Sequence, residues 1–452
     1  MNVFKRFLIE RPGVTLFVFA LAVRLLAVQL LWAPSDLPRS YEHGEIAANL
    51  VAGRGFRVEF LHANRLTSQQ APFYPYLLAG AFLLFGTHAS AADLAVQTLQ
   101  CLAGAVICLS VVRLSRAVLP ERSRIAWLAG YGAAIYPSHV YAVTHLQVAI
   151  WAALWLTLLA DWCLSADPRQ ILRTGGVAGI LGGLLILTEP ILALALPVLA
   201  LALWQRAAVA LTVKRDLVRS ARPTVVMTVA TCLMIAPWIV RNYNVHGEWV
   251  FIKSTFGYAF WQGNNASSWG TDKIPMEDAM MRAAQHDGSI REMNAALWAA
   301  RYETTYIDDL LLTEEDYAQF ATLSEPACCQ MLGERARQFI REEPGRYAAL
   351  CLKRLRYFLV FDETNPKASH FVYRGSTVAW LALAVGGLIV TRRDWRLLWP
   401  TYAAFGLILL FHTLTITSAR FRIPVEPLTF PWCAAGAEQL LRWVPALRGR
   451  RA

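Results

Sequence analysis

Residues 12–33 read PGVTLFVFALAVRLLAVQLLWA, and this apolar run is long enough to cross a bilayer as a single helix. An α-helix rises about 1.5 Å per residue, so about 20 apolar residues span a hydrocarbon core of roughly 30 Å. Arg24 lies near the middle of the run, and a charge at that depth must face other helices or a wet cavity. Because no small-residue cleavage pattern follows, we expect a retained membrane span and not a removed signal.

The composition of the chain supports a membrane protein. Of its 452 residues, 56% are hydrophobic and 17% are charged, whereas an average soluble domain has roughly 25% charged residues. The formal net charge of +11 comes from short clusters between apolar runs, which is typical of membrane topology and not of a nucleic-acid-binding module. We expect no nucleic acid partner. The eight cysteines include no CxxC pair, so the sequence predicts neither a disulfide scaffold nor a zinc ribbon.

The distribution of basic residues predicts the topology. Further candidate spans lie near residues 91–113, 125–138, 143–165, 175–188, 190–205, 222–240, 375–391, 397–413 and 422–442. Basic clusters precede the first span, lie between several later spans and follow the last; by the positive-inside rule they place both termini in the cytoplasm. The run from Tyr74 to Phe85 is short and follows Pro72, so we expect an interfacial helix on the outer surface.

These observations predict an all-α polytopic membrane protein with about ten transmembrane helices. The expected domains are a transmembrane module over 1–240, whose external loop 34–90 bears interfacial helices, a mostly helical external segment over 241–374, and C-terminal transmembrane helices over 375–452. Amphipathic patterns with basic faces near 334–356 suggest helices that rest on lipid head groups or face solvent.

Ionisable residues are concentrated at the predicted outer ends of the spans. The stretch SYEHGEIAANLVAGRGF, residues 40–56, brings Glu42, His43 and Glu45 to the point where the chain leaves the first span. Ionisable groups at a membrane face are candidates for a functional site, because an unpaired charge near lipid is costly. If the stretch is helical, Glu42 and Glu45 share a face, and one can act as a base while the other orients it.

Several blocks of the sequence resemble a known enzyme family. They are YEHGEIAANLVAGRGF at 41–56, APFYPYLLAGAFLLFG at 71–86, AAIYPSHVYAVTHLQ at 133–147, LILTEP at 185–190, WIVRNYNVHGEWVFIKSTFGYAFWQGNN at 238–265 and ITSARFRIPVEP at 416–427. In this order they resemble the membrane-embedded C-type (GT-C) glycosyltransferases. They are most similar to the bacterial family-39 branch, which is related to protein O-mannosyltransferases and to the aminoarabinose transferase of lipid A.

The resemblance implies a fold and a chemistry. Such enzymes have seven spans before a second large external loop, and the count from charge and parity gives seven spans before residue 241. They use a polyprenyl-phosphate sugar on the outer membrane face, and an acidic residue of the first external loop deprotonates the acceptor hydroxyl. A carboxylate with a raised pKa is an effective base, and the lipid phosphate leaving group needs cationic stabilisation.

The resemblance also implies roles for individual residues. Glu42 and Glu45 are the candidate catalytic carboxylates; many relatives carry an acidic residue about one turn earlier, where this chain has Arg39-Ser40. Arginine binds phosphate oxygens bidentately, so the candidate donor-phosphate ligands are Arg420, Arg422 and Arg57. The candidate sugar- or acceptor-binding residues are His43, His145, Gln147, Glu189, Trp261, Asn264 and Asn265.

The sequence therefore predicts a hexosyl- or pentosyltransferase of the bacterial cytoplasmic (inner) membrane, with its active site facing the periplasm. Its expected partners are a polyprenyl-phosphate sugar donor, a lipid, glycan or protein acceptor, and membrane lipids. The alternatives are a lipid or sugar transporter or flippase and an O-antigen polymerase or ligase; polar residues gathered at one face favour an enzyme over a transporter. No metal site is predicted, although Glu42 and Glu45 leave a divalent cation open.

Overall fold

The computed structural model describes residues 11–31, 40–210, 217–275, 288–302 and 304–443. Its α-helices, numbered in chain order, are α1 (Pro12–Leu31), α2 (Tyr41–Val51), α3 (Phe73–Phe85), α4 (Ser90–Val118), α5 (Ser123–Ile135), α6 (Pro137–Ala142), α7 (Ala149–Ser165), α8 (Ile171–Thr188), α9 (Leu196–Ala210), α10 (Leu217–His246), α11 (Phe256–Gly263), α12 (Ile290–Tyr302), α13 (Ile307–Leu311), α14 (Glu314–Ala321), α15 (Glu325–Glu342), α16 (Pro344–Leu359), α17 (Phe371–Val390), α18 (Trp395–Leu414) and α19 (Phe430–Trp443). Short 3-10 helices cover Pro190–Ala195, Pro366–Ser369, Arg392–Asp394, Ala419–Phe421 and Glu426–Thr429.

The prediction of an all-α polytopic membrane protein is confirmed. Among the described residues, seven helical segments are long and apolar enough to cross a membrane: Pro12–Leu31, Ser90–Val118, Ile171–Thr188, Pro190–Ala210, Val218–His246, Phe371–Val390 and Arg392–Leu414. The other three predicted spans correspond to the shorter helices α5, α7 and α19, of 13, 17 and 14 residues. Of the predicted basic clusters, Lys5, Arg6, Lys214, Arg215, Arg448, Arg450 and Arg451 lie outside the described residues.

Small residues allow the helices of the bundle to approach closely. On α8, Gly175, Gly179 and Gly183 recur every four residues and face α10. A methyl group on Gly179 would lie 2.6 Å from the backbone oxygen of Met227, and one on Gly183 would lie 2.4 Å from Cβ of Met234. Helices in lipid associate through such close van der Waals packing, because apolar burial alone gives them no advantage.

Arg24 of α1 stabilises a break between α5 and α6. Pro137 has no N–H and pushes the preceding residue out of the helical region, so the carbonyls of Ala133 and Ala134 lose their helical partners. The buried Arg24 guanidinium donates to these two oxygens at 3.2 and 3.1 Å. The charge in the middle of the first span therefore faces the bundle, as the sequence predicts.

The loop after α2 contains a β-hairpin that was not expected from the sequence. Strands β1 (Arg57–Phe60) and β2 (Ala63–Leu66) pair antiparallel through a two-residue turn. Both turn residues, Leu61 and His62, have positive φ values of 50° and 58°. Such turns match the twist of the strands but usually contain asparagine or glycine, so the residue types at this turn do not indicate a hairpin.

A second hydrophobic core joins the loop after α1 to the segment between α10 and α17. It brings Phe56 and Val58 of the loop together with Trp261 of α11, Phe320 of α14 and Leu332 of α15. His62 stacks on Tyr317 of α14 with a centroid distance of 3.7 Å. The two segments therefore form one folded cap over an end of the bundle.

We predict that Arg24→Leu lowers the midpoint of thermal unfolding in detergent. The substitution removes the charge-assisted hydrogen bonds to Ala133 and Ala134 and leaves these two carbonyls unsatisfied, at a cost of about 2–3 kcal/mol. Arg341→Leu, at an exposed position of α15, is the control. An unchanged midpoint for Arg24→Leu would show that the helix break does not depend on this guanidinium.

Candidate active site

Helix α2 carries the two candidate catalytic carboxylates on its exposed side. Glu42 lies in the first turn, where a negative charge is favoured by the helix dipole, and Glu45 follows three residues later on the same face. Ile46 and Ala47 are fully buried beneath them. The position of Glu42 alone is thus compatible with a role in helix stability only. The residues around it decide whether a catalytic role is also possible.

The charge of Glu42 acts on a cluster of polar side chains on α11 and α13. Gln262 donates to Asp308 at 3.0 Å and to the hydroxyl of Tyr258 at 2.9 Å. Burial raises the pKa of the Tyr258 hydroxyl well above its usual value, and the charges of Asp308, Asp272 and Glu42 raise it further. Burial likewise raises the pKa of Asp308. The cluster offers hydroxyl, amide and carboxyl groups, the set that binds sugar hydroxyls.

Two cations act on His43 of α2. Burial is the main cause that lowers the pKa of His43 to about 3, and the charges of Lys253 and Arg420 contribute to this shift. The imidazole packs edge-on against Tyr74 with a centroid distance of 5.2 Å. Arg420 is exposed, and neither cation makes a hydrogen bond or ion pair with another residue that the structure describes. Their charges are therefore available to an anionic ligand.

A buried carboxylate fixes the segment that carries Lys253. Glu325, which is 1% exposed, accepts from the hydroxyl of Ser254 at 2.5 Å, from the hydroxyl of Thr67 at 2.5 Å and from the N–H of Ser68 at 2.8 Å. These bonds tie the segment after α10 to the end of the hairpin. The residue directly after Lys253 is thereby fixed against the end of the hairpin.

The turn that carries Arg420 is fixed by the buried Asp362. Its carboxylate accepts from the N–H of Ala419 at 3.1 Å and from Thr364 through both N–H and hydroxyl, at 3.1 and 2.6 Å. Burial raises the pKa of Asp362 above its usual value, and these hydrogen bonds together with the charge of Lys273 offset only part of that rise. The carboxylate anchors the residue directly before Arg420.

Arg422 does not share the exposure of Arg420. It is 2% exposed and donates to Glu426 at 2.7 Å, to the carbonyls of Phe358 and Leu359, and to Thr377. Its donors are thus occupied by the protein. We correct the sequence interpretation here and assign Arg422 to holding the turn in place, and not to binding a donor phosphate.

Asn264 and Asn265 are likewise committed to the protein. Asn264 donates to the carbonyls of Phe260 and Thr415, and Asn265 donates to those of Trp261 and Gln262. Both asparagines and the Trp261 ring are buried, so we leave them out of the proposed sugar site. These residues terminate α11 and pack in the external core.

The other predicted residues occupy different surroundings. His145 is buried and stacks on Trp298 of α12 at 4.9 Å; Trp298 also stacks on Tyr41, the first residue of α2. Gln147 lies in the turn after His145, to whose carbonyl its N–H donates. Glu189 terminates α8 and is partly exposed.

Glu45 and Arg57 belong to the junction between α2 and the hairpin. Glu45 accepts from the N–H of Glu59 at 3.2 Å, and Asn49 donates to the carbonyl of Arg57 at 3.0 Å. The two carboxylates of α2 therefore differ: Glu45 bonds the hairpin, whereas Glu42 has no hydrogen bond or ion pair with the described residues.

Sequence reasoning missed four residues of this site, namely Lys253, Tyr258, Gln262 and Asp308. Tyr258 and Gln262 are four residues apart, which places them on one helical face and was a usable signal. Asp308 and Lys253 reach the site only through tertiary packing. Within the described ranges, no group of three or more His, Cys, Asp or Glu side chains is arranged to hold a metal ion.

We predict that His43→Asn reduces the loss of stability between pH 7.5 and pH 5. Because the pKa of His43 is about 3 in the folded protein and about 6.5 when unfolded, the unfolded chain binds a proton that the folded one does not. Stability is therefore present above pH 6.5 and is lost as the pH falls towards 3. Unfolding midpoints of both proteins at the two pH values test this, and equal pH dependence would contradict it.

Comparisons with known proteins identify solved structures with a similar fold. No protein-family model matches the sequence, and no curated protein matches it. Two structures of the Archaeoglobus fulgidus oligosaccharyltransferase share 14% and 15% identity with the chain, cover 99% and 97% of it, and superpose with TM-scores of 0.56 and 0.50. ArnT from Cupriavidus metallidurans is 14% identical over 96% of the chain and 78% of its own, with a TM-score of 0.40.

The chain spans about half the length of the oligosaccharyltransferase, namely 51% and 52% in these two comparisons. At this level of identity the likeness concerns the fold. The described chain has the polytopic helical fold of the Archaeoglobus fulgidus oligosaccharyltransferase.

Proposed function

We propose that the protein is a membrane glycosyltransferase that moves a sugar from a polyprenyl-phosphate carrier to an external acceptor. The observation that carries the proposal is that two sets of groups meet at α2. The charge of Glu42 acts on the polar cluster around Tyr258, and two cations without a hydrogen bond or ion pair among the described residues act on the adjacent His43. This arrangement occurs on the fold of an oligosaccharyltransferase. That enzyme has been determined with a dolichol-phosphate and an inhibitory peptide, and ArnT with undecaprenyl phosphate.

Glu42 is assigned as the general base. Its carboxylate takes the proton of the acceptor hydroxyl while that oxygen attacks the anomeric carbon of the donor. The bond between this carbon and the phosphate oxygen breaks, and its electron pair goes to the phosphate. Glu42 fits this role because it is exposed and uncommitted, whereas Glu45 bonds the hairpin.

Lys253 and Arg420 are assigned to the phosphate. The leaving group gains negative charge as the bond breaks, and fixed cations stabilise that charge without reorganising. Glu325 and Asp362 hold the backbone beside each cation, so the charges are positioned before the donor binds. His43 remains neutral between them and adds no charge of its own.

The sugar is assigned to the cluster of Tyr258, Gln262 and Asp308. Their hydroxyl, amide and carboxyl groups bond one another and lie where the charge of Glu42 is felt. The His145 and Trp298 stack beside Tyr41 borders the same helix and is a candidate contact for the acceptor.

The assay for the proposed activity is release of free polyprenyl phosphate by the purified protein. The protein is incubated with a panel of polyprenyl-phosphate sugars and bacterial envelope acceptors, singly and in pairs. Release that requires both a donor and an acceptor supports the transferase. Movement of labelled lipid between proteoliposome leaflets, with no release from any pair, would support a flippase instead.

We predict that Glu42→Gln reduces turnover at least a hundredfold, because general base catalysis contributes about 10²–10⁴-fold. Donor binding should persist, since the glutamine preserves the shape of the side chain and the cations are unchanged. Glu59→Gln, at an exposed position of β1, is the control and should retain activity. Turnover near the wild-type rate in Glu42→Gln would remove Glu42 as the base.

We predict that Lys253→Ala and Arg420→Ala each raise the dissociation constant for a polyprenyl-phosphate ligand about tenfold or more, because each loses a charge-assisted contact. Arg337→Ala, which removes an exposed cation of α15, is the matched control. The affinity should be measured directly, apart from turnover. Wild-type affinity in both variants would place the phosphate elsewhere.

A further inference from the structure

A polar cavity lies at the far end of the bundle from Glu42. His43 packs on Tyr74, whose hydroxyl donates to Gln100 of α4 at 3.1 Å. Helix α4 then continues to Val118, which at 1.5 Å per residue is about 27 Å further along its axis. The cavity opens beside the next turn of the chain and has a volume of about 380 Å³.

Three arginines from different parts of the chain line this cavity. Arg122 directly precedes α5, Arg124 lies in the first turn of α5, and Arg442 comes from the end of α19. We call it the arginine cavity. Sequence patterning placed the basic cluster at 113–124 on the cytoplasmic side, but only the fold brings Arg442 beside it.

Acidic residues in and beside the wall pair with two of these arginines and leave some of their N–H donors for a ligand. Arg122 donates to Asp394, outside the wall, at 3.0 Å, which uses only part of the five N–H donors of a guanidinium. The wall contains two carboxylates, Glu121 and Glu438, and Arg442 pairs with Glu438 at 3.0 Å, so the three arginines outnumber the acids of the wall. Arg124 is exposed and has no hydrogen bond or ion pair with the described residues.

Apolar side chains border the arginine cavity. Ile389, directly before Val390 of the cavity wall, is 61% exposed, and Leu440 of α19 is 51% exposed. Arg392 and Arg393, beside Asp394, add positive charge at the same end. The cavity therefore combines guanidinium groups with adjacent apolar surface, which is the chemistry of a lipid whose charged head group is held between helices.

We propose that the arginine cavity binds the phosphate head group of an anionic phospholipid, with the acyl chains along the apolar surface beside Ile389 and Leu440. Arginine forks match phosphate oxygens, and basic pockets between membrane helices on the cytoplasmic side bind such head groups. The shared chemistry is a phosphate anion, and the bordering apolar surface favours a lipid as its source. The site is separate from the proposed active site and does not depend on the proposed function.

The experiment measures lipid binding by the purified, delipidated full-length protein with native mass spectrometry. Cardiolipin, phosphatidylglycerol and phosphatidylcholine are the probes, and soluble glycerol phosphate is the competitor. The wild type should retain cardiolipin or phosphatidylglycerol in preference to phosphatidylcholine. Arg124→Ala and Arg442→Gln should each raise the dissociation constant about fivefold, which is the fold-change expected for one basic residue.

Arg173→Ala is the matched control, since Arg173 is exposed at the start of α8 near the same end of the bundle. It should bind anionic lipid like the wild type. Displacement of the lipid by glycerol phosphate at equal concentration would retain a phosphate site but overturn the lipid as its ligand. Anionic lipid binding that is unchanged in Arg124→Ala and Arg442→Gln, or equally weakened in Arg173→Ala, would overturn the proposal.

Discussion

The buried guanidinium of Arg354 joins the end of α11 to the end of α18, the two helix ends beside the candidate site. It donates to the carbonyl of Gly263 at 2.8 Å, where α11 ends, and to that of Thr413 at 2.7 Å, near the end of α18. Helix ends leave carbonyls without intrahelical partners, and away from water each unsatisfied group costs about 1–3 kcal/mol. One side chain satisfies both ends, so the polar cluster of α11 and the turn that carries Arg420 are fixed relative to each other.

Buried charged side chains bond the backbone in the same way at three other places where the chain leaves a regular helix. Arg24 bonds the carbonyls at the break after α5, Glu325 bonds the segment beside Lys253, and Asp362 bonds the turn beside Arg420. Each of these buried charges is matched by several partners, as the cost of an unpaired buried charge requires. Glu42, Lys253 and Arg420 differ from these residues, because their side chains have no hydrogen bond or ion pair with the described residues. Under the proposed function, cations on fixed segments are preorganised for the charge that develops on the leaving phosphate.

The membrane character, most span positions and the helix that carries Glu42 could be predicted from the sequence, because these features depend on apolar runs and local periodicity. It could not decide between Arg420 and Arg422, which are two residues apart, although Glu426 four residues after Arg422 was a signal for an internal ion pair. The interpretation of Arg354 as part of a basic lipid-facing surface was wrong, since that residue is fully buried. Asp308 and Lys253 reach α2 only through tertiary contacts, and no local pattern reports them.

In the proposed function, one phosphate binds between Lys253 and Arg420, next to Glu42. A cryo-electron microscopy structure of the full-length protein in lipid nanodiscs with undecaprenyl phosphate tests it most directly. The account predicts phosphate density in contact with both the Lys253 ammonium and the Arg420 guanidinium. Phosphate density elsewhere on the protein, with both side chains unliganded, would contradict it.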